Sequence, residues 1–206
     1  MLWLNGETVS PVSSHLGTNQ VLLGEKLYLR PLEESDIGEQ YLSWLNDPEV
    51  TRFLETGKTA VSLCDLRKYL ERFRNSTTDF IFAILDRESG FHIGNVTLNR
   101  ISLTHGTADT GLMIGRKEVW GKGYAFEAWS LLLEFAFESL GLHKVVAGAI
   151  AEHAASIAVL KRLGFKQEGT LRQEFLVDGQ YKDAIRFGLL REEFHKYLRR
   201  RKSEVL

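Results

Sequence analysis

The sequence predicts an α+β fold, with one mixed, mostly antiparallel central sheet flanked by helices. Three patterns carry that prediction. Phe80-Ile81-Phe82-Ala83-Ile84-Leu85, Gly94-Asn95-Val96-Thr97-Leu98 and Thr107 to Ile114 are successive strand-like runs. The segments joining them, Asp86 to Gly90 and Asn99 to Gly106, carry turn residues, which makes this stretch an antiparallel meander. A long apolar-periodic segment, Tyr124 to Leu140, then leads to His143 to Ile150. A strand reached by such a crossover runs parallel to an earlier one. Finally, Leu171 to Val177 and Ala184 to Leu190 flank Asp178-Gly179, the signal of a tight hairpin.

The remaining elements follow in chain order. Residues 1–24 hold Gly6, Pro11, Ser13, Ser14, Gly17 and Asn19 with few patterned apolar positions, and read as an appended arm outside a single domain spanning 25–206. Lys26-Leu27-Tyr28-Leu29-Arg30 alternates as a first strand stopped by Pro31. A helix through Tyr41, Trp44 and Leu45 follows, with Ser35 or Asp36 as its expected N-cap, and Asn46-Asp47-Pro48 breaks it. Leu63, Leu66, Leu70 and Phe73 are spaced for a second helix over 63–74. Gly141 closes the long crossover helix, and Gly164 stops a shorter one from Ser156 to Leu163. Arg191 to Lys202 reads as a terminal helix.

Composition limits the function classes. A chain of 206 residues, 44% hydrophobic and 26% charged, is long enough for one sizeable core. A net charge of -1 gives no electrostatic case for nucleic acid or an anionic membrane, so neither is expected as a partner. The cationic cluster Arg199-Arg200-Arg201-Lys202 suits a helix C-terminus. A lone Cys64 excludes an intrachain disulfide. No apolar run nears the roughly 18 residues of a membrane span, and no signal-peptide pattern opens the chain. A cytoplasmic location is therefore expected. His15, His105 and His195 lack ligand spacing, so no metal is expected.

The chemistry starts at Val119-Trp120-Gly121-Lys122-Gly123-Tyr124-Ala125, between the strand ending at Ile114 and the crossover helix. Strand, glycine turn and helix start together form an anion site: amides converge, and the helix adds roughly half a positive charge. Glycines allow turn dihedrals and a close phosphate approach. The spacing fits neither nucleotide motif. Five residues separate Gly115 from Gly121, no hydroxyl follows Lys122, and Phe126 stands where a dinucleotide fingerprint wants its third glycine. A turn that merely joins strand to helix is the competing reading.

A second segment, Glu152-His153-Ala154-Ala155-Ser156 through Lys161-Arg162-Leu163-Gly164-Phe165, stands about thirty residues downstream. With both in place, the chain from about Lys26 to Tyr197 resembles the GNAT superfamily of acetyl-coenzyme A-dependent N-acetyltransferases. WGKGYAFEA is similar to that family's pyrophosphate motif and SIAVLKRLGF to its second coenzyme A motif. The resemblance implies acetyl-CoA as co-substrate and direct attack by an amine in a ternary complex. It also implies a parallel strand pair that splays apart at the coenzyme site. Leu112-Met113-Ile114 would line the pantetheine arm and supply an oxyanion N–H. The amides of Gly121, Lys122, Gly123, Tyr124 and Ala125 would hold the diphosphate, and Trp120, where the family usually carries Gln or Arg, is a further residue of the coenzyme site. His153 stands where the family usually carries Asn, which weakens any role at that position. No nucleophile with a supporting base forms a recognisable motif.

Ser156 matches the serine of the second motif and is a candidate acid for the departing thiolate, or else a plain helix cap. Tyr181 is the other candidate acid, with a core position as its alternative. Asp109 matches the place where relatives often carry Glu and would deprotonate the amine through water, or is simply an exposed strand residue. Glu168 and Asp183 are weaker carboxylate candidates. WLNDPEV, with His92-Ile93-Gly94-Asn95, resembles the branch holding ribosomal-protein N-terminal acetyltransferases and amino-sugar-nucleotide N-acetyltransferases. It leans to the sugar side, with Trp44, Asn46, Asp47 and Asn95 as acceptor contacts. A core Trp44 and a structural turn explain the same residue types. The alternatives are a protein N-terminus, a polyamine served by the acidic run Glu33-Glu34-Ser35-Asp36, or a non-catalytic CoA sensor. A homodimer is compatible with all of them.

Overall fold

The computed structural model describes residues 20–55 and 59–204, with side chains through residue 198. Most of the expected N-terminal arm, His15 and the side chains of the Arg199–Lys202 cluster lie outside the described residues. Among the described residues, eight strands form one sheet: β1 (Leu22–Leu23), β2 (Leu27–Pro31), β3 (Phe80–Asp86), β4 (His92–Ser102), β5 (Thr107–Ile114), β6 (Lys144–Ile150), β7 (Lys166–Val177) and β8 (Gln180–Leu190). Their order across the sheet is β1-β2-β3-β4-β5-β6-β8-β7. Every neighbouring pair is antiparallel except β5 and β6. The helices are α1 (Glu39–Leu45), α2 (Pro48–Thr51), α3 (Leu63–Arg74), α4 (Tyr124–Glu134), α5 (Ala154–Arg162) and α6 (Arg191–Glu204).

Both faces of the sheet are covered, which is why Phe80 to Leu85 reads as an unbroken apolar run. Phe82 and Ile84 face a large core with Trp129, Leu132 and Leu133 of α4, Leu160 of α5 and Phe194 of α6. Ile81, Ala83 and Leu85 face a second core with Tyr41, Trp44 and Leu45 of α1 and Leu66, Leu70 and Phe73 of α3. α4 passes directly into a π-helical segment, Phe135–Ser139, which turns Phe135, Ala136 and Phe137 fully inward.

Two expectations are corrected. Neither Ser35 nor Asp36 caps α1, whose N-cap is Gly38. Residues Glu34–Asp36 instead make one 3-10 turn, because the Asp36 carboxylate is held by both Arg30 guanidinium nitrogens at 2.7 and 2.8 Å and by the Glu33 N–H. Asn46-Asp47-Pro48 ends α1 and also starts another helix: Asp47 accepts the Glu49 N–H as N-cap of α2, with Pro48 at its first position.

Candidate active site

The parallel pair is incomplete. β5 and β6 are in register only from Thr107–Lys144 to Thr110–Ala147. Beyond that point Gly111 to Ile114 stay on β4, and Gly148 to Ile150 stay on β8. The facing edges diverge, leaving backbone N–H and C=O groups with no ladder between them. The divergence starts at a pinned residue. Thr110 Oγ1 donates to Thr97 O at 2.8 Å and accepts the Trp129 indole N–H at 3.1 Å. A cavity of about 640 Å³ runs through the opening. Trp129 bounds it on the α4 face and Tyr69 and Arg72 on the α3 face, with Leu112, Gly148 and Ser156 between.

Leu112 and Ile114 turn their side chains to the large core and Met113 turns to the second. Of the three, Leu112 lines this cavity, Met113 lines a smaller one beside it, and Ile114 lines neither. Past Ile114 the chain is tied back by the Gly115 N–H to Ile93 O at 2.9 Å, and by the Trp120 indole N–H to Ile114 O at 2.9 Å. Gly115 is obligatory for packing: a Cβ there would lie 2.0 Å from the Trp44 indole. Gly121 and Gly123 sit at φ 72° and 89°, left-handed values that bend the turn into the start of α4.

Of the five amides expected to hold a diphosphate, the one on Lys122 is engaged within the turn, donating to Val119 O at 3.3 Å. Those of Gly121, Gly123, Tyr124 and Ala125 have no backbone acceptor among the described residues. A cation that sequence reading missed joins them. Lys26 Nζ donates to Lys122 O at 3.0 Å, from a residue 96 positions away, so no local pattern could announce it. Tyr124 Oη donates to Asp86 Oδ2 at 2.6 Å, which fastens the start of α4 to β3. That bond pushes the phenol up to about 12 and, after the Ser89 hydroxyl, helps hold the Asp86 carboxyl below its ordinary range.

On the opposite lip, α5 starts at Ala154 with His153 as N-cap, and that imidazole makes no capping bond. It stacks on Phe53 at 4.6 Å between ring centroids, and burial lowers its pKa. Ser156 is therefore not the cap. It is the third residue of the helix, half-buried on the cavity wall, and its hydroxyl has no partner among the described residues.

The acceptor side differs from expectation. Asp109 lines the cavity, but its carboxylate is ion-paired with Arg100. Arg100 is a left-handed residue (φ 52°) in a β-bulge of β4, and its N–H is held by Asp79 at 2.8 Å. Trp44 is 6% exposed and covers Gly115. Asn46 joins α1 to the residues ahead of α3: its oxygen accepts the Val61 N–H at 2.9 Å, and its nitrogen donates to Leu42 O and Val61 O. Asp47 caps α2 and binds Lys117 at 2.8 Å. None of these three lines the main cavity or the smaller one beside it. Asn95 does line the smaller one.

Tyr181 is not a core residue. It is 67% exposed on β8 and lines neither of these two cavities. Glu168 is bound by Lys144, and Asp183 holds the Gln173 N–H at a bulge of β7. The acidic run is neutralised by Arg30, Arg67 and Arg74. Among the described residues, no group of three or more His, Cys, Asp or Glu is placed to hold a metal, and no helix is long and apolar enough to cross a membrane.

A parallel pair opened at its C-terminal end, with a glycine turn and helix start beside it, defines an acyl-CoA-dependent transferase. The chain belongs to the GNAT acetyltransferase family: the model described as "Acetyltransferase (GNAT) domain" matches residues 26–166. It is 35% identical over 179 residues to "Uncharacterized N-acetyltransferase p20" of Bacillus licheniformis, covering 85% of this chain and 98% of that one. It is 33% identical over 178 residues to the spermidine N(1)-acetyltransferase of Escherichia coli K12, covering 85% and 90%. The crystal structure of spermidine N-acetyltransferase from Vibrio cholerae, in complex with CoA and spermine, superimposes with a TM-score of 0.75 at 26% identity, covering 82% and 98%. The protein is an N-acetyltransferase.

Proposed function

We propose that this enzyme moves an acetyl group from acetyl-CoA to a small primary amine by direct attack in a ternary complex. The observation that supports it most is the early end of the β5–β6 ladder at Thr110–Ala147, with the cavity opening from that point. The glycine-turn amides and the Lys26 ammonium suit the diphosphate, and the open edge of Gly111 to Ile114 suits the pantetheine arm. A backbone N–H of that edge takes the thioester oxygen as it gains charge; one such donor is worth about 3 kcal/mol. Ser156 protonates the leaving thiolate, directly or through a water. Asp109 takes the amine's proton through water, with the oxygen that Arg100 leaves available. His153 stays neutral at the cavity wall.

A small amine is the class that the spermidine N-acetyltransferases named above share. The amino-sugar nucleotide expected from WLNDPEV keeps the support of Asn95 alone, since Trp44, Asn46 and Asp47 are engaged in the fold. Thiol release from acetyl-CoA, measured across spermidine, peptide N-termini, amino-sugar nucleotides and simple alkylamines, tests the reading. Turnover with at least one amine is expected. Thermal stabilisation by CoA without turnover on any of them would replace the reading with a coenzyme sensor.

A further inference from the structure

Beside the main cavity, and meeting it at Gly111 and Leu112, lies a smaller chamber of about 340 Å³ on the α1–α3 side of the sheet. Its walls are mostly apolar, yet it gathers polar groups with nothing to bind. Asn95 is 5% exposed, and its Nδ2 is buried without a hydrogen-bond partner among the described residues. The orientation of that amide is fixed from behind. His92 Nε2 lies 2.8 Å from Gly94 O and 3.0 Å from Asn95 Oδ1. Two acceptors at one ring nitrogen require the proton to be there, so the histidine donates and the Asn95 oxygen receives. Edge contacts with Tyr41 and Trp44 hold the imidazole in place. The Asn95 N–H groups are then unused by the described residues, on a side chain that lines the chamber.

Tyr41 and Tyr69 line the same space, and neither hydroxyl has a partner among the described residues. Burial raises both phenols, so they stay protonated and able to donate. An unmet buried donor is costly, and a ligand oxygen relieves that cost. Among the described residues, the one ionised side chain on the chamber wall is Asp65, an anion. It disfavours an acidic acyl chain and favours an amine.

We infer that this chamber selects the acceptor: it takes the body of an amine that carries a hydrogen-bond-accepting oxygen near its nitrogen, with Asn95 as the specificity-determining residue. A polyamine has only N–H donors once protonated and leaves Asn95 unmet. This inference rests on the acetyl-transfer reading for its kinetic consequence, though not for its binding consequence.

The test uses a matched pair, 2-methoxyethylamine and n-butylamine, which differ by an ether oxygen in place of a methylene. With the full-length enzyme, kcat/KM reckoned on the neutral amine, which removes the difference in basicity made by the ether oxygen, should favour the methoxy amine by about tenfold, the size set by one unmet donor. Asn95→Leu should bring that ratio to near one. Tyr69→Phe, which removes a single hydroxyl, should lower the ratio partway and serves if Asn95→Leu does not fold. Equal rates for the two amines in the parent enzyme, or a ratio unmoved by either substitution, overturns the inference. Thermal stabilisation of the CoA-saturated protein by each amine separates the two failures. A larger shift with the methoxy amine but no turnover on any amine keeps the chamber and removes the transferase reading. Equal or absent shifts without turnover remove the chamber.

Discussion

The two halves of the site are built from different materials. On the coenzyme side, the parts are backbone: four amides of one turn, two glycines at positive φ, and a strand edge left open where β6 departs. On the acceptor side, the parts are side chains brought from α1, α3, β4 and β5. Backbone sites tolerate changes in neighbouring side chains and reveal themselves by glycine spacing. Side-chain sites compete with the fold for the same residues. Asn46 and Asp47 show the outcome of that competition, since every bond they make holds α1, α2 or the β5–α4 turn.

Four changes sharpen this contrast. The largest effect should come from Ser156→Ala, which removes the proposed acid without touching a cap; kcat should fall by about 100-fold with KM for acetyl-CoA little altered. A kcat within threefold of the parent in steady-state assays would return Ser156 to plain surface.

Next comes Gly123→Val. A β-branched residue at φ 89° adds about 1–3 kcal/mol of backbone strain, which the turn relieves by moving. KM for acetyl-CoA should rise about tenfold or more, whereas acetyl-pantetheine, which lacks the diphosphate, should be hardly affected. Equal losses with both donors would show that the turn does not hold the diphosphate.

Asn46→Ala tests the acceptor half from the other direction. Losing three hydrogen bonds should cost about 1–2 kcal/mol and lower Tm by about 3–6 °C, with KM for the amine unchanged. A raised amine KM at unchanged Tm would restore Asn46 as a substrate contact.

The smallest effect is in pH. Burial holds His92 and His153 below the ordinary value of 6.5, so the unfolded chain binds these protons first as pH falls. Their contribution to stability is present above 6.5 and is lost as pH drops through the folded values. Tm should decline from pH 7 to pH 5, and His153→Gln should flatten that decline. An identical slope in the variant would mean that His153 is not held neutral.

Much of this molecule was legible before any coordinates. The meander, the crossover, the Asp178-Gly179 hairpin, α3 at 63–74 and β5 at 107–114 follow from apolar period and turn residues, because those signals are local. Residues 166–170 of β7 and 180–183 of β8 were not: they are mostly exposed and polar, so no apolar alternation marks them. The Gly121-Lys122-Gly123 turn into α4 was legible from its two glycines, since only glycine takes such dihedrals without strain. Tertiary structure decided the rest, by long-range pairing that no window contains. It placed Lys26 at the turn, occupied the Lys122 amide, released Ser156 from capping and sent Tyr181 to the surface. It also paired Asp109 with a bulged Arg100, and left Asn95 holding an unused donor because His92 takes its oxygen. A residue's type states which bonds it is able to make; only the packed chain determines which of those remain for a substrate.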